Sequence, residues 1–170
     1  MYVQGEQGMK ETSFLSRQTD ENLNFYQFPL LKDLSKSAFQ NLLSICKICT
    51  FYSGEMLTVQ DDFDYRVYFL ISGKVSIVRD KEQIALLNQV GDLFCEMVLI
   101  EETERSASVI ALVETQCLCL DAILLQEMAP HIKDQILPVF YKGIAKTLAR
   151  RLRVMNEEAI LLKKELRADL

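Results

Sequence analysis

The hydrophobic positions of this chain change period along its length. Up to residue 24 they are scattered among polar ones without a sustained repeat, the pattern of a flexible or loosely docked N-terminal arm. Phe25, Tyr26, Phe28, Leu30 and Leu31 then gather around Pro29 and predict an anchor on a core. Phe39, Leu42, Leu43 and Cys46 follow at helical spacing behind Ser35, whose hydroxyl is placed to cap the first turn. The stripe they form is a packing face.

From residue 47 to 121 the pattern shortens. Strand-type runs at 49–52, 56–60, 67–71, 75–78 and 84–87 are divided by Ser53-Gly54-Glu55, a loop at 61–64, Ser72-Gly73 and Asp80-Lys81-Glu82. Short strands between closely spaced turns predict a sandwich or barrel. Cys117 and Cys119 share one face of a later strand, with Leu118 and Leu120 on the other.

Beyond Asp121 the period becomes helical. A short segment at 122–128 is broken by Pro130, and a long helix begins near Ile132 or Asp134, with Pro138 tolerated in its first turn or at a kink. Tyr141, Ala145, Leu148, Leu152, Met155, Ala159, Leu162 and Leu166 alternate in steps of four and three, a heptad seam. The first half of that stripe, to about Leu152, is able to pack on its own β-domain. The second half extends too far and predicts a partner helix, most simply from a second copy.

Composition bounds this picture. With 49% apolar and 25% charged residues the chain is ordinary for a globular protein, and its net charge of −5 argues against broad nucleic-acid binding. Neither a basic-then-apolar leader nor an apolar run of ~18 residues is evident, so a cytoplasmic protein with no membrane contact is expected. Five cysteines without a secretion signal argue against a disulfide framework. Cys46-Lys47-Ile48-Cys49 lacks the second pair a zinc site needs; a redox pair is the other sharp reading, and the favoured one has Cys46 ending a helix and Cys49 in the next strand, both small apolar residues. Asp61, Asp62 and Asp64 lack the glycine and distant glutamate of an EF-hand loop and read as solvated carboxylates. No metal or other cofactor is called for. His131, the one histidine, has no evident nucleophile partner, and no phosphate loop or nucleophile elbow is present, so no catalysis is expected.

The chemistry gathers in residues 91–109. A turn at Gly91-Asp92 leads into Phe94-Cys95-Glu96-Met97-Val98-Leu99-Ile100, an acidic loop follows, and Arg105-Ser106-Ala107 opens a strand-type run. Backbone N–H groups at a short helix start and the guanidinium of Arg105 suit one phosphate, whereas Glu96 suits a nearby hydroxyl. This stretch resembles the phosphate-binding cassette of the cyclic nucleotide-binding domain family, Phe-Gly-Glu, an apolar run, then Arg-Ser/Thr/Ala-Ala. Cys95 replaces the usual glycine of the cassette, and Asp61 a second one. Across residues 28–157 the turns at Gly54-Glu55 and Ser72-Gly73-Lys74-Val75 and the strand Tyr68-Phe69-Leu70-Ile71 resemble the same family.

The resemblance implies a mainly β fold with flanking helices, a β-roll or jelly-roll barrel plus a long C-terminal helix. Its divisions are a polar arm at 1–24, the β-roll with flanking helices at 25–133, and a dimerisation helix at 134–170. Arg105 would take the cyclic phosphate of cAMP or, less favoured, cGMP, Ser106 would add a phosphate contact, and Glu96 would take the ribose 2′-hydroxyl. Cys95, Met97 and Ala107 complete the cassette. Residues 148–154 resemble the dimer helix of the bacterial catabolite activator branch, where polar residues just beyond touch the purine; here Met155 and Asn156 stand there. Arg150, Arg151 and Arg153 read as a solvated face rather than DNA contacts. Too few residues follow Asn156 for the helix-turn-helix of that branch, so the expectation is a sensor working through a protein partner, or a piece of a longer protein. Two alternatives stay open. One is a dimerising scaffold that has lost its ligand, with Arg105 paired to Glu101, Glu102 or Glu104. The other is a thiol sensor in which arginine lowers the pKa of Cys95.

Overall fold

The computed structural model describes residues 10–13, 28–101 and 103–168. Among these residues, nine strands form two antiparallel sheets. The larger runs in the order β1 (Lys10–Ser13), β2 (Cys46–Phe51), β9 (Thr115–Asp121), β4 (Arg66–Ser72) and β7 (Leu93–Phe94). The smaller is β3 (Met56–Thr58), β8 (Ser108–Ala111), β5 (Val75–Arg79) and β6 (Glu82–Leu87). Within the N-terminal arm, Lys10 to Ser13 pair with Thr50 to Lys47 at the sheet edge. The rest of that arm, with Phe25 and Tyr26, lies outside the described residues.

Strand periodicity builds two cores from one sheet. On β4, Tyr68 and Leu70 meet Phe51, Leu57, Val109 and Ala111 between the sheets, while Val67 and Phe69 point the other way, under the helices. All four are fully buried, and each such side chain contributes about 1.5–3 kcal/mol. The alternation expected of β9 holds: Cys117 and Cys119 join the inter-sheet core, and Leu118 and Leu120 the helical one.

The helical layer is α1 (Lys36–Ser44), α2 (Ala122–Glu127) and α3 (Pro130–Ala168). Ser35 caps α1 as expected, its Oγ accepting from the Ala38 N–H at 3.2 Å. That helix ends at Ser44, so Cys46 opens β2 instead of closing the helix. Cys46 belongs to the outer core and Cys49 to the inner one, and two residues on opposite faces of a strand do not form a redox pair. Cys49 instead forms a disulfide with Cys119 on the neighbouring strand, across Cα atoms 6.3 Å apart. The expectation of free cysteines is corrected for this pair, because β-pairing brings together residues 70 positions apart.

The long helix starts at Pro130, earlier than its apolar period indicates, since proline suits a first helical position. Pro138 therefore lies beyond the first turn, where it removes one backbone hydrogen bond. Ile136, Phe140 and Ile144 are buried against the domain, with Leu148 partly buried beside them. Tyr141 and Ala145 are exposed, so the inward face of α3 differs from the first half of the heptad seam.

Candidate functional site

Cys95 and Arg105 lie against the ends of β3 and β4, at Thr58 and Arg66. Phe94 stacks on Tyr68, ring centroids 5.3 Å apart, which fixes where β7 stops. The chain then turns through Cys95, whose φ of 61° is left-handed, into a short 3-10 helix, Glu96–Leu99. Asp61 has a φ of 67°. Both positions at which the sequence departs from a family glycine thus hold the backbone conformation that glycine adopts most easily.

Arg105 is buried, and its backbone is held by the loop before β4. Its N–H donates to Asp62 O at 2.9 Å, and its carbonyl accepts from Asp61 N–H at 2.8 Å. In the side chain, Nη1 donates to Cys95 O at 3.2 Å and Nη2 to Arg66 O. Nη2 also lies 3.4 Å from Asp64 Oδ2, an ion pair without hydrogen-bond geometry, and Arg105 Nε is buried with no acceptor. Asp64 is shared, because its Oδ1 accepts from the backbone N–H and the Nε of Arg66, both at 3.0 Å. Burial alone would raise the Asp64 carboxyl. The Arg66 hydrogen bonds and the Arg105 and Arg66 charges outweigh it and hold the group below its ordinary value. Asp64 is therefore no solvated loop carboxylate, although Asp61 and Asp62 are exposed. The scaffold alternative paired Arg105 with the acidic loop instead. Among the described residues its ionic partner is Asp64, while Glu101 and Glu104 face solvent.

Glu96 is 2% exposed and receives Arg151 of α3, Nη1 to Oε1, at 2.6 Å. Arg151 Nη2 reaches Leu93 O at 3.3 Å. A buried carboxylate needs such a partner, since an uncompensated charge away from water is costly. The solvated-face reading is corrected here: of the three neighbouring arginines, Arg151 turns inward. The signal was available, because Arg151 continues the buried series Phe140, Ile144, Leu148 in steps of four, four and three.

The other candidates are dispersed. Ser106 and Met97 are exposed and Ala107 half-buried. Met155 and Asn156 stand exposed further along α3. Cys95 is half-buried, with Sγ 4.0 Å from Thr58 Oγ1. Burial pushes its thiol up to about 11, against the opposing pull of Arg105 and the Thr58 hydrogen bond. That is the reverse of what a thiol sensor needs, and the thiolate reading is corrected by it. Sequence reasoning also missed Asp64, Arg66 and Thr58, which enter the site only through tertiary pairing. Among the described residues no cluster of histidine, cysteine and carboxylate groups has a metal-binding arrangement. Among them too, no helix is long and apolar enough to cross a membrane.

Known proteins resemble this chain in sequence and fold. A family model described as the cyclic nucleotide-binding domain matches residues 48–130. A cyclic AMP receptor protein of Thermus thermophilus is 35% identical over 135 residues, covering 76% of this chain and 56% of that protein. A cGMP-dependent protein kinase of Plasmodium berghei is 31% identical over 103 residues, 60% of this chain and 12% of the kinase. The chain thus spans little more than half of the first relative and a small part of the second. The solved catabolite activator protein of Thermus thermophilus superposes with a TM-score of 0.63 at 32% identity, over 79% of this chain and 63% of that one. A cyclic nucleotide-binding domain from Methylobacillus flagellatus, at 16% identity, shares the fold with a TM-score of 0.69 over 84% of each chain. With the matched residues 48–130 holding both sheets' central strands and the cassette, the chain belongs to the cyclic nucleotide-binding domain family.

Proposed function

We propose that this domain binds a cyclic nucleotide, cAMP ahead of cGMP, and passes the signal on through α3 to a protein partner. One observation carries the reading: the buried guanidinium of Arg105 lies against the Cys95 turn with its Nε–H lacking any acceptor. An unpaired buried donor costs roughly 1–3 kcal/mol, and a phosphate oxygen is the acceptor that would relieve it. Glu96 would accept from the ribose hydroxyl, Ser106 would add a phosphate contact, and Cys95, Met97 and Ala107 would line the cassette. Asn156 would meet the base edge once α3 moves over the pocket. Arg151 gives that movement a lever, because it ties α3 to Glu96, and a ligand that competes for Glu96 shifts the balance between two helix positions. A cyclic AMP receptor protein and a cGMP-dependent protein kinase among the relatives support a cyclic nucleotide as the ligand.

The domain is expected to act without catalysis, in the cytoplasm, as a homodimer through α3. Calorimetric titration with cAMP and then cGMP tests the reading. Saturable binding is expected, at least tenfold weaker in Arg105→Ala. Binding indifferent to that change removes Arg105 from the site. A second reading, a dimerising scaffold that has lost its ligand, is favoured by Cys95 and Asp61 in left-handed positions. No binding by the natural chain with binding restored in Cys95→Gly would mark a single-residue loss, and no binding by either would leave the scaffold.

A further inference from the structure

A cleft of about 440 Å³ lies beside the cassette without including Arg105, Glu96 or Cys95. One wall is α3 and the other is the segment around Leu30 and Lys32 with the turn before β7. Its volume is that of a small-molecule site. Its charge is unusual for an acidic chain: Lys32, Lys142, Lys146, Arg150 and Arg151 line it, against only Asp33 and Asp92. Arg151 is engaged with Glu96, but the other four cations have no carboxylate partner among the described residues.

Their placement is built in. Lys142, Lys146 and Arg150 follow one another at four-residue intervals, so they stand on one face of α3 about 5–6 Å apart, a like-charge array that opposes helix stability. Gly143 lets the opposite wall come in. A Cβ there would meet Leu30 Cδ1 at 1.6 Å, so the Leu30 side chain packs directly on the helix backbone at Gly143 and would have to move if a side chain were added. This flank of α3 is also separate from the exposed stripe of Tyr141, Leu152 and Met155.

We infer that the cleft is a second ligand site, independent of the nucleotide reading, for a small molecule carrying two or more phosphate groups. Set against Asp33 and Asp92, the four cations without an ion-pair partner leave an excess of two positive charges around one small volume, which two phosphate groups match better than a monoanion does. The lysines supply point charges and Arg150 a planar fork.

Inorganic pyrophosphate serves as the probe, titrated calorimetrically into the full chain at constant ionic strength. One saturable site is expected, weakened at least tenfold in Lys142→Gln/Lys146→Gln and kept in Arg105→Ala. Both lysines are exposed, so the double variant should fold, which its unchanged melting temperature would verify. No saturable binding by the natural chain overturns the inference. So does binding that survives the lysine changes but is lost in Arg105→Ala, which would place pyrophosphate in the cassette. Titrating the lysine variant with cAMP keeps the two sites distinct: unchanged cAMP binding beside lost pyrophosphate binding supports a separate cleft.

Discussion

Asp61 and Cys95 carry side chains on backbone that L-residues adopt at a cost of roughly 1–2 kcal/mol, less for aspartate, which tolerates the left-handed region. Asp61 is exposed and its side chain makes only a long contact with Gln60 Nε2, at 3.4 Å. Asp61→Gly should therefore stabilise the fold by about 0.5–1 kcal/mol, since little is lost. A urea midpoint that does not rise would show that Asp61 holds the Arg105 backbone in a way glycine does not. Cys95 differs because its side chain is packed beside Thr58, so Cys95→Gly trades relief of strain against lost contacts. Its thiol gives a cleaner readout. Burial raises it from its ordinary 9.0 to about 11, so the folded state favours the neutral thiol. The associated stability is complete below pH 9 and is lost as pH rises through 11. Alkylation by iodoacetamide at pH 8 should run slower at Cys95 than in the urea-unfolded chain. An equal or faster rate would reverse the assigned direction.

At the scale of elements, the turn joining β4 to β5 is as constrained as the cassette. Gly73 has a φ of 99°, and a Cβ there would lie 2.6 Å from both Glu114 O and Thr115 Cα. Thr115 secures the turn: its Oγ1 accepts from the Lys74 N–H at 3.2 Å, and its hydroxyl donates to Val113 O at 2.8 Å. Backbone atoms cannot step aside as a flexible side chain can. Gly73→Ala should cost on the order of 2–4 kcal/mol, from the left-handed conformation and the overlap together. An unfolding midpoint close to that of the natural chain would contradict this. The same contrast explains what could be read from the chain alone. Ser72-Gly73, the β9 alternation and the Glu96–Arg105 spacing are local and legible. Asp64 reaches Arg105, and Arg151 reaches Glu96 across 55 residues, through pairings that no local pattern encodes. Arg151 is intermediate, since its phase with Phe140, Ile144 and Leu148 was visible but a basic run masked it.

For the whole molecule, α3 is the element with unfinished packing. Its 39 residues extend about 58 Å, and only the part near Ile136, Phe140 and Ile144 is buried in this chain. Leu152, Met155, Leu162 and Leu166 are each more than half exposed, on a seam spaced in fours and threes. A surface stripe of that size in water favours association, and burying one leucine contributes about 1.5–3 kcal/mol. A second copy is the simplest occupant because the same stripe can complement itself in a two-stranded seam. The β-domain is not needed to satisfy it, since Tyr141 and Ala145 remain exposed while the domain takes the adjacent face. Sedimentation should therefore find two chains per particle at micromolar concentration. Leu152→Glu/Leu162→Glu should release monomers whose near-ultraviolet circular dichroism keeps the signature of the packed aromatic core. Those two substitutions lie outside the core, so loss of the core signal along with the dimer would mean that association is part of folding itself. A natural chain that sediments as a monomer would instead leave the stripe for a different partner, and α3 would then transmit its signal across a hetero-interface.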